Sequence, residues 1–295
     1  MTISSLRLRS YSKVNLALAT LGRRADGYHE IRTVFQSIDL HDELEFRPAR
    51  GMELDCPGLP GIPVEENLIW RAATALAGLV SEKRGVAITL RKNIPPGSGL
   101  GGGSSNAAIT LHGLNRFWEL GLADHQLLPL ASELGSDVPY FLHGGTALGI
   151  GRGDETYPLP ELPSARLVVL YPGIHVSTAA AYGSLNLGLT SLRSAHRIAC
   201  FCSRLKGNDF PLTEMFNDFE TSIFPAYPDI AEAKNFLMER GATAALLSGS
   251  GSSVFGFFPD EESAFAASRA VIRKAWRVFP AKTLSRAEYL RQVFG

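Results

Sequence analysis

The 295-residue chain has only three cysteines, Cys56, Cys200 and Cys202. Their odd number and unpaired spacing argue against a disulfide framework and suit reduced thiols. There is no excess of charge of either sign: 29 Lys and Arg stand against 29 Asp and Glu. A nucleic acid or an anionic membrane is therefore not expected as the main partner, and any anion site must be local. No apolar run reaches the roughly 20 residues of a membrane-spanning helix. The opening MTISSLRLRSYSKVN lacks the apolar core of a signal peptide. Fixed-period repeats, low-complexity tracts, an HExxH motif and other zinc-ligand spacing are also missing. A cytoplasmic enzyme fits these absences. With 45% hydrophobic residues the chain can fill one large core or two modest ones, and its length favours two domains.

Strand-like and helix-like patterns alternate along the chain. Asn15 to Leu21 and Ile31 to Leu40 look like strands on either side of an Asp26-Gly27 turn. Helical spacing marks Asn67 to Val80, a segment with Ala107, Leu111, Leu114 and Trp118 on its buried face, Asp124 to Leu134, Asp229 to Arg240, and Glu261 to Trp276. Asp124 is a plausible N-cap, with Gly135 past the end of its helix. Val86 to Leu90, Leu167 to Tyr171, Ala244 to Leu247 and Val254 to Phe258 read as strands. The stretch from Gly149 to Pro163, rich in glycine, proline and acid, is the best domain boundary. The order lacks the strict βαβ repeat of a doubly wound sheet, so the fold class is α+β with domains at 1–162 and 163–295.

The strongest signal is Pro95-Pro96-Gly97-Ser98-Gly99-Leu100-Gly101-Gly102-Gly103-Ser104-Ser105, between a strand and a helix. Five glycines allow positive φ and close backbone approach to a ligand. The helix that follows offers unpaired N–H groups and the positive end of its dipole, and the two serines add hydroxyls. Together these describe a phosphate site; a plain tight turn or flexible linker is the bland alternative. Gly97 to Gly102 also matches GxGxxG, but the early βαβ unit of a dinucleotide fold is lacking. Walker A requires GK[ST] at its end, and no lysine follows these glycines. Any catalytic cation must come from elsewhere.

PPGSGLGGGSSNAA resembles the second motif of the GHMP kinases, the superfamily of galactokinase, homoserine kinase, mevalonate kinase and phosphomevalonate kinase. Lys13-Val14-Asn15-Leu16-Ala17-Leu18 resembles the first motif and Leu247 to Gly256, LSGSGSSVFG, the third. All three occur in order over nearly the whole chain. The resemblance implies a ribosomal S5 domain 2-like N-terminal domain, a ferredoxin-like C-terminal domain and an ATP-dependent kinase. It implies Lys13 and Asp137 as catalytic residues, Pro95 to Ser105 together with Asn67 for ATP, and Gly249, Ser250 and Gly251 closing on the site. From chemistry alone, Lys13 could neutralise charge on the moving phosphoryl group and Asp137 could accept a hydroxyl proton. A strand-start lysine and a loop cap are the structural alternatives, and Asn67 could equally cap the helix it starts.

Arg24-Ala25-Asp26-Gly27-Tyr28-His29 and Leu134-Gly135-Ser136-Asp137-Val138-Pro139-Tyr140-Phe141-Leu142 narrow the likeness. They resemble the branch whose acceptor is a cytidine diphosphate-linked methylerythritol. An aromatic face at Tyr28 suits stacking on a base and the imidazole of His29 suits its edge. The same likeness puts Asn15 and Phe35 close by. Tyr182 is the candidate to cover the base's second face, with core packing as its rival. Magnesium is expected with ATP, yet no pair of acids announces a metal site, and Glu133 is only near Asp137 in sequence. A monomer or homodimer is compatible with all of this.

Overall fold

The computed structural model describes residues 4–57, 59, 61–80, 84–185, 191–205, 210–273 and 275–294. Among them the first sheet is built on a long antiparallel pair, β1 (Leu6–Arg23) and β2 (His29–Arg47). β1 starts nine residues before the expected strand. Leu6, Leu8 and Ser10 face inward while Arg7 and Arg9 face water, a period of two that continues into the apolar run. β3 (Met52–Asp55) and β4 (Val86–Arg91) extend the sheet beyond β2. The glycine- and acid-rich stretch expected to be a boundary loop is largely a hairpin of β5 (Thr146–Ile150) and β6 (Glu155–Pro158), and β5 pairs with β2.

Helices α1 (Leu68–Ala77), α2 (Gly102–Phe117) and α3 (Asp124–Leu134) cover one face of this sheet. The four residues expected on the buried face of α2, Ala107, Leu111, Leu114 and Trp118, are all buried against Phe46, Ile69 and Leu90. Asp124 is not the N-cap of α3. Ala123 holds that position, its N–H donating to the Gln126 side chain at 3.0 Å, while Asp124 is the first helical residue. A carboxylate there still complements the helix dipole.

The second sheet contains β7 (Arg166–Tyr171), β9 (Ala244–Leu247), β10 (Val254–Phe258) and β11 (Arg277–Lys282), in the order β11-β7-β10-β9 with every pair antiparallel. Between its strands lie α4 (Thr178–Gly183), α5 (Ser191–Arg204), the two-residue β8 (Phe216–Asn217), α6 (Glu220–Ala226), α7 (Pro228–Glu239) and α8 (Glu261–Arg269). The helix expected to run to Trp276 ends at Arg269. Alternation along β7 explains its unbroken apolar reading. Leu167 and Val169 meet Val14, Leu16 and Val34 of the first sheet together with Phe201 of α5. Val168 and Leu170 meet Ile230 and Leu237 of α7 on the opposite face.

The expected division after residue 162 falls in the link between β6 and β7, but two later segments return to the first sheet. β8 pairs in parallel with Ala17 and Leu18 of β1. The helix α9 (Arg286–Phe294) inserts Tyr289 and Val293 into the core beneath α2. No described helix is long and apolar enough to cross a membrane.

Candidate active site

The glycine loop leaves β4 and enters α2 with Gly97, Gly99 and Gly101 at φ of 63°, 80° and 72°. Gly102 and Gly103 do not share this geometry and are instead the first residues of the helix. The first helical bond runs from Ser105 N to Gly101 O at 2.8 Å, so the N–H groups of Gly102, Gly103 and Ser104 have no acceptor within the helix. They form the anion-accepting end of α2. Gly99 is where the two sheets meet. A Cβ placed on it would lie 2.1 Å from the Ser248 carbonyl oxygen and 2.9 Å from that of Gly251. The Ser248 hydroxyl donates to Gly99 O at 3.0 Å, and Ser253 N donates to Ser98 O at 3.0 Å. The third motif is thereby fastened to the second.

Lys13 comes to this junction from the centre of β1. Its own N–H donates to Leu100 O at 3.0 Å. The ammonium is 3% exposed, donates to Asn15 Oδ1 at 2.7 Å and Gly99 O at 2.9 Å, and stands 3.4 Å from Asp137 Oδ2. Three donors thus face three acceptors, so the buried ammonium leaves no N–H unpaired. Asn15 is held in turn: its Nδ2 donates to Thr33 Oγ1 at 2.7 Å, and the Thr33 hydroxyl donates to Ala17 O at 2.8 Å. Asp137 is nearly a third exposed and opens onto a cleft. It sits just before a short 3-10 turn, Pro139–Leu142, that is anchored by the Tyr289 hydroxyl donating to Phe141 O at 2.6 Å.

The cleft has a volume of about 1090 Å³, at the top of the range for small-molecule sites and large enough for two substrates. Lys13, Arg23 and Arg152 line it against the single carboxylate of Asp137. In a chain of zero net charge this is a local positive field suited to phosphates. At one end, Tyr28 is half exposed and Arg152 stands over its ring at 4.8 Å. Arg152 is held by Asp154, its Nε donating at 3.1 Å and its Nη2 at 2.5 Å. The rings of His29 and Tyr182 stack at 4.6 Å with planes 20° apart, and Tyr182 meets Phe219 edge-on at 4.8 Å. Burial, with the nearby Arg23 charge, holds the His29 imidazole below its ordinary pKa. Burial raises the Tyr182 phenol, and the negative charge of Asp137 adds to that rise. At neutral pH both rings are uncharged and offer N–H and O–H groups to a polar edge.

Among the expected site residues, Lys13, Asn15, Tyr28, His29, Phe35, Gly97, Gly99, Gly101, Ser104, Asp137, Tyr182, Gly249, Ser250 and Gly251 line this one cleft. Others do not. Ser98 is buried with its hydroxyl on Pro95 O, and Leu100 lies in the core. The Ser105 hydroxyl accepts from that of Ser10 inside the protein at 2.7 Å. Pro95, Pro96, Gly102 and Gly103 shape the loop without being part of the lining. Asn67 caps α1, its Oδ1 accepting from Ile69 N at 2.9 Å, and is likewise outside the lining. Glu133 is exposed and points to no part of the cleft. Among the lining residues that carried no expectation are two arginines and a histidine: Arg23, Arg152 and His175. For Arg152 a signal existed, since Gly151-Arg152-Gly153 is a turn with glycines at φ of 68° and 95° that presents a lone arginine at the hairpin tip. No group of three or more His, Cys, Asp or Glu among the described residues could hold a metal ion.

Comparison with known proteins gives a consistent answer. The GHMP kinase N-terminal domain model matches residues 67–145 and the GHMP kinase C-terminal model matches residues 207–278. A 4-diphosphocytidyl-2-C-methyl-D-erythritol kinase of Syntrophus aciditrophicus (strain SB) is 40% identical over 281 residues, 95% of this chain and 99% of the relative. A crystal structure of 4-(cytidine 5'-diphospho)-2C-methyl-D-erythritol kinase superposes with a TM-score of 0.79 at 32% identity, covering 94% of this chain and 99% of the other. A homoserine kinase from Cytophaga hutchinsonii shares the fold at a TM-score of 0.75 and 19% identity, over 97% of both chains.

Proposed function

The chain belongs to the 4-diphosphocytidyl-2-C-methyl-D-erythritol kinases of the GHMP kinase family, and from that membership and the geometry of the cleft we propose how its residues divide the work. It is an ATP-dependent kinase of isoprenoid biosynthesis. The reaction moves the γ-phosphoryl group of ATP to the 2-hydroxyl of the cytidyl alcohol. A new P–O bond forms to that oxygen, the bond to the β-phosphate oxygen breaks, and ADP leaves.

The triphosphate lies along Gly97 to Ser104, with the free N–H groups at the start of α2 meeting its oxygens. Asp137 accepts the proton of the attacking hydroxyl, and Lys13 holds that carboxylate while neutralising charge on the phosphoryl group. The cytosine takes the end lined by Tyr28, His29 and Tyr182. Asn15 and Phe35 keep the Lys13 head in place from below. The lining of the cleft has one carboxylate, Asp137, so magnesium would be held mainly by the triphosphate of ATP, and it would supply charge neutralisation there. The free thiols of Cys56, Cys200 and Cys202 suit a reducing, ATP-supplied compartment, the cytoplasm.

The observation that carries the reading is the single ammonium of Lys13, which touches both the phosphate loop and the Asp137 carboxylate. Release of ADP from MgATP should be stimulated strongly by the cytidyl alcohol, weakly or not at all by homoserine or mevalonate, and should stop when magnesium is omitted. Turnover of homoserine or mevalonate in preference would overturn the acceptor.

A further inference from the structure

His175 takes no part in the steps above, yet it is placed as a ligand-binding group. It belongs to the link from β7 to α4, which crosses from the second sheet to the mouth of the cleft. The link is held at several points. The Ser252 hydroxyl donates to the Ile174 carbonyl. Val176 is buried in the core beneath α7. Ser177 caps α4 by accepting from Ala180 N at 3.4 Å. The imidazole between these anchors is exposed and lies against the glycine loop. A Cβ built on Gly97 would fall 2.7 Å from His175 Nδ1 and 3.0 Å from Cε1. The ring therefore occupies the space that any other residue at 97 would fill, on the side of the loop that opens to the cleft.

We infer that His175 is a phosphate-binding residue, donating an imidazole N–H to a phosphate oxygen held between the glycine loop and the second sheet. The inference rests on the reading of the cleft as a phosphoryl-transfer site. Three observations support it. The ring is exposed and lines the cleft. The loop it touches is the phosphate loop. The charged groups lining the cleft, Lys13, Arg23 and Arg152 against Asp137, already favour an anion. Two phosphate sources fit: the triphosphate of ATP and the diphosphate of the acceptor. Both present the same oxygens to the same donor.

The test is a substitution series, His175→Gln, His175→Ala and His175→Glu, with binding of a non-hydrolysable ATP analogue and of cytidine diphosphate measured separately by calorimetry. Glutamine keeps an N–H donor, alanine removes it, and glutamate puts a negative charge against the phosphate. For one of the two ligands the affinity should fall about tenfold to hundredfold in the alanine variant, further in the glutamate variant, and recover substantially in the glutamine variant. Steady-state KM for that substrate should follow the same order. The ligand that responds identifies the source of the phosphate. A flat series for both ligands overturns the inference, as does a glutamate variant that binds as well as the glutamine variant. Wild-type turnover of the cytidyl alcohol, measured alongside, keeps the two readings apart. Its absence would remove the proposed reaction, whereas the affinity series decides the role of His175 by itself.

Discussion

Replacing Asp137 by asparagine separates chemistry from architecture at this site. The side chain keeps its shape but loses the ability to take a proton. At 3.4 Å from the Lys13 ammonium, a full charge pair is worth about 1 kcal/mol at the dielectric of water and about 5 kcal/mol at an effective value of 20. Asp137 is 31% exposed, which places the pair toward the lower figure, as for most solvent-accessible ion pairs. Lys13 also retains Asn15 Oδ1 and Gly99 O in the variant, so the buried ammonium is not stranded. The stability cost should be about 1 kcal/mol, a fall in melting temperature of roughly 2–4 °C for a chain of this size. The rate should suffer much more. Loss of a positioned general base costs typically about 10²–10⁴ in rate, or roughly 3–5 kcal/mol of barrier. Coupled-enzyme detection of ADP, thermal melting and calorimetric binding of a non-hydrolysable ATP analogue measure the three quantities. Turnover above about a tenth of wild type would refute the role of Asp137 as base. A fall in melting temperature beyond about 10 °C would mean that its work is structural.

Two further outcomes follow from the same geometry. Gly99→Ala puts a methyl group 2.1 Å from the Ser248 carbonyl oxygen at a backbone φ of 80°, so the third motif must separate from the loop. Melting temperature and turnover should both fall, the latter by at least tenfold, and an unchanged variant would show that the contact between the two motifs is dispensable. The His29 ring should titrate by NMR below the ordinary value of about 6.5, because burial and Arg23 disfavour its charged form. In the window between the folded and unfolded pKa values the unfolded chain binds more protons, so the contribution of His29 to stability falls as pH falls through that window. A midpoint at or above 6.5 would contradict this.

The parts of the site that were legible in the sequence are those whose chemistry is local. A phosphate loop is made of consecutive residues, and its glycines and following helix announce it directly. The junction of Lys13 and Asp137 is a different matter: 124 positions separate them in sequence, no spacing rule links them, and the pairing came from resemblance to a family. His175 and Arg23 were not foreseen because a single polar residue in a link or at the end of a strand has many uses. Some structure was readable and passed over. Ser285-Arg286-Ala287-Glu288 is a capping box, with the Ser285 N–H on Glu288 Oε2 at 3.0 Å and the Glu288 N–H on Ser285 Oγ at 3.2 Å, and it marks the start of α9. The overrun of α8 has the opposite cause. Helical propensity continues past Arg269, and no glycine or proline marks the stop that tertiary packing imposes.

The Tyr289 hydroxyl reaches across 148 residues of sequence to the Phe141 carbonyl, and its ring fills the space beside Gly144 that a Cβ would need. The turn that follows Asp137 is therefore gripped from both ends of the chain: Ser37 of β2 shares a 2.7 Å hydrogen bond with the Tyr140 hydroxyl, and α9 holds Phe141. The last helix of the chain is thus a support of the catalytic turn as well as of the core. A truncation just before Ser285 should lower turnover and melting temperature together, and a truncated chain with wild-type turnover would show that the Ser37 side of the grip suffices.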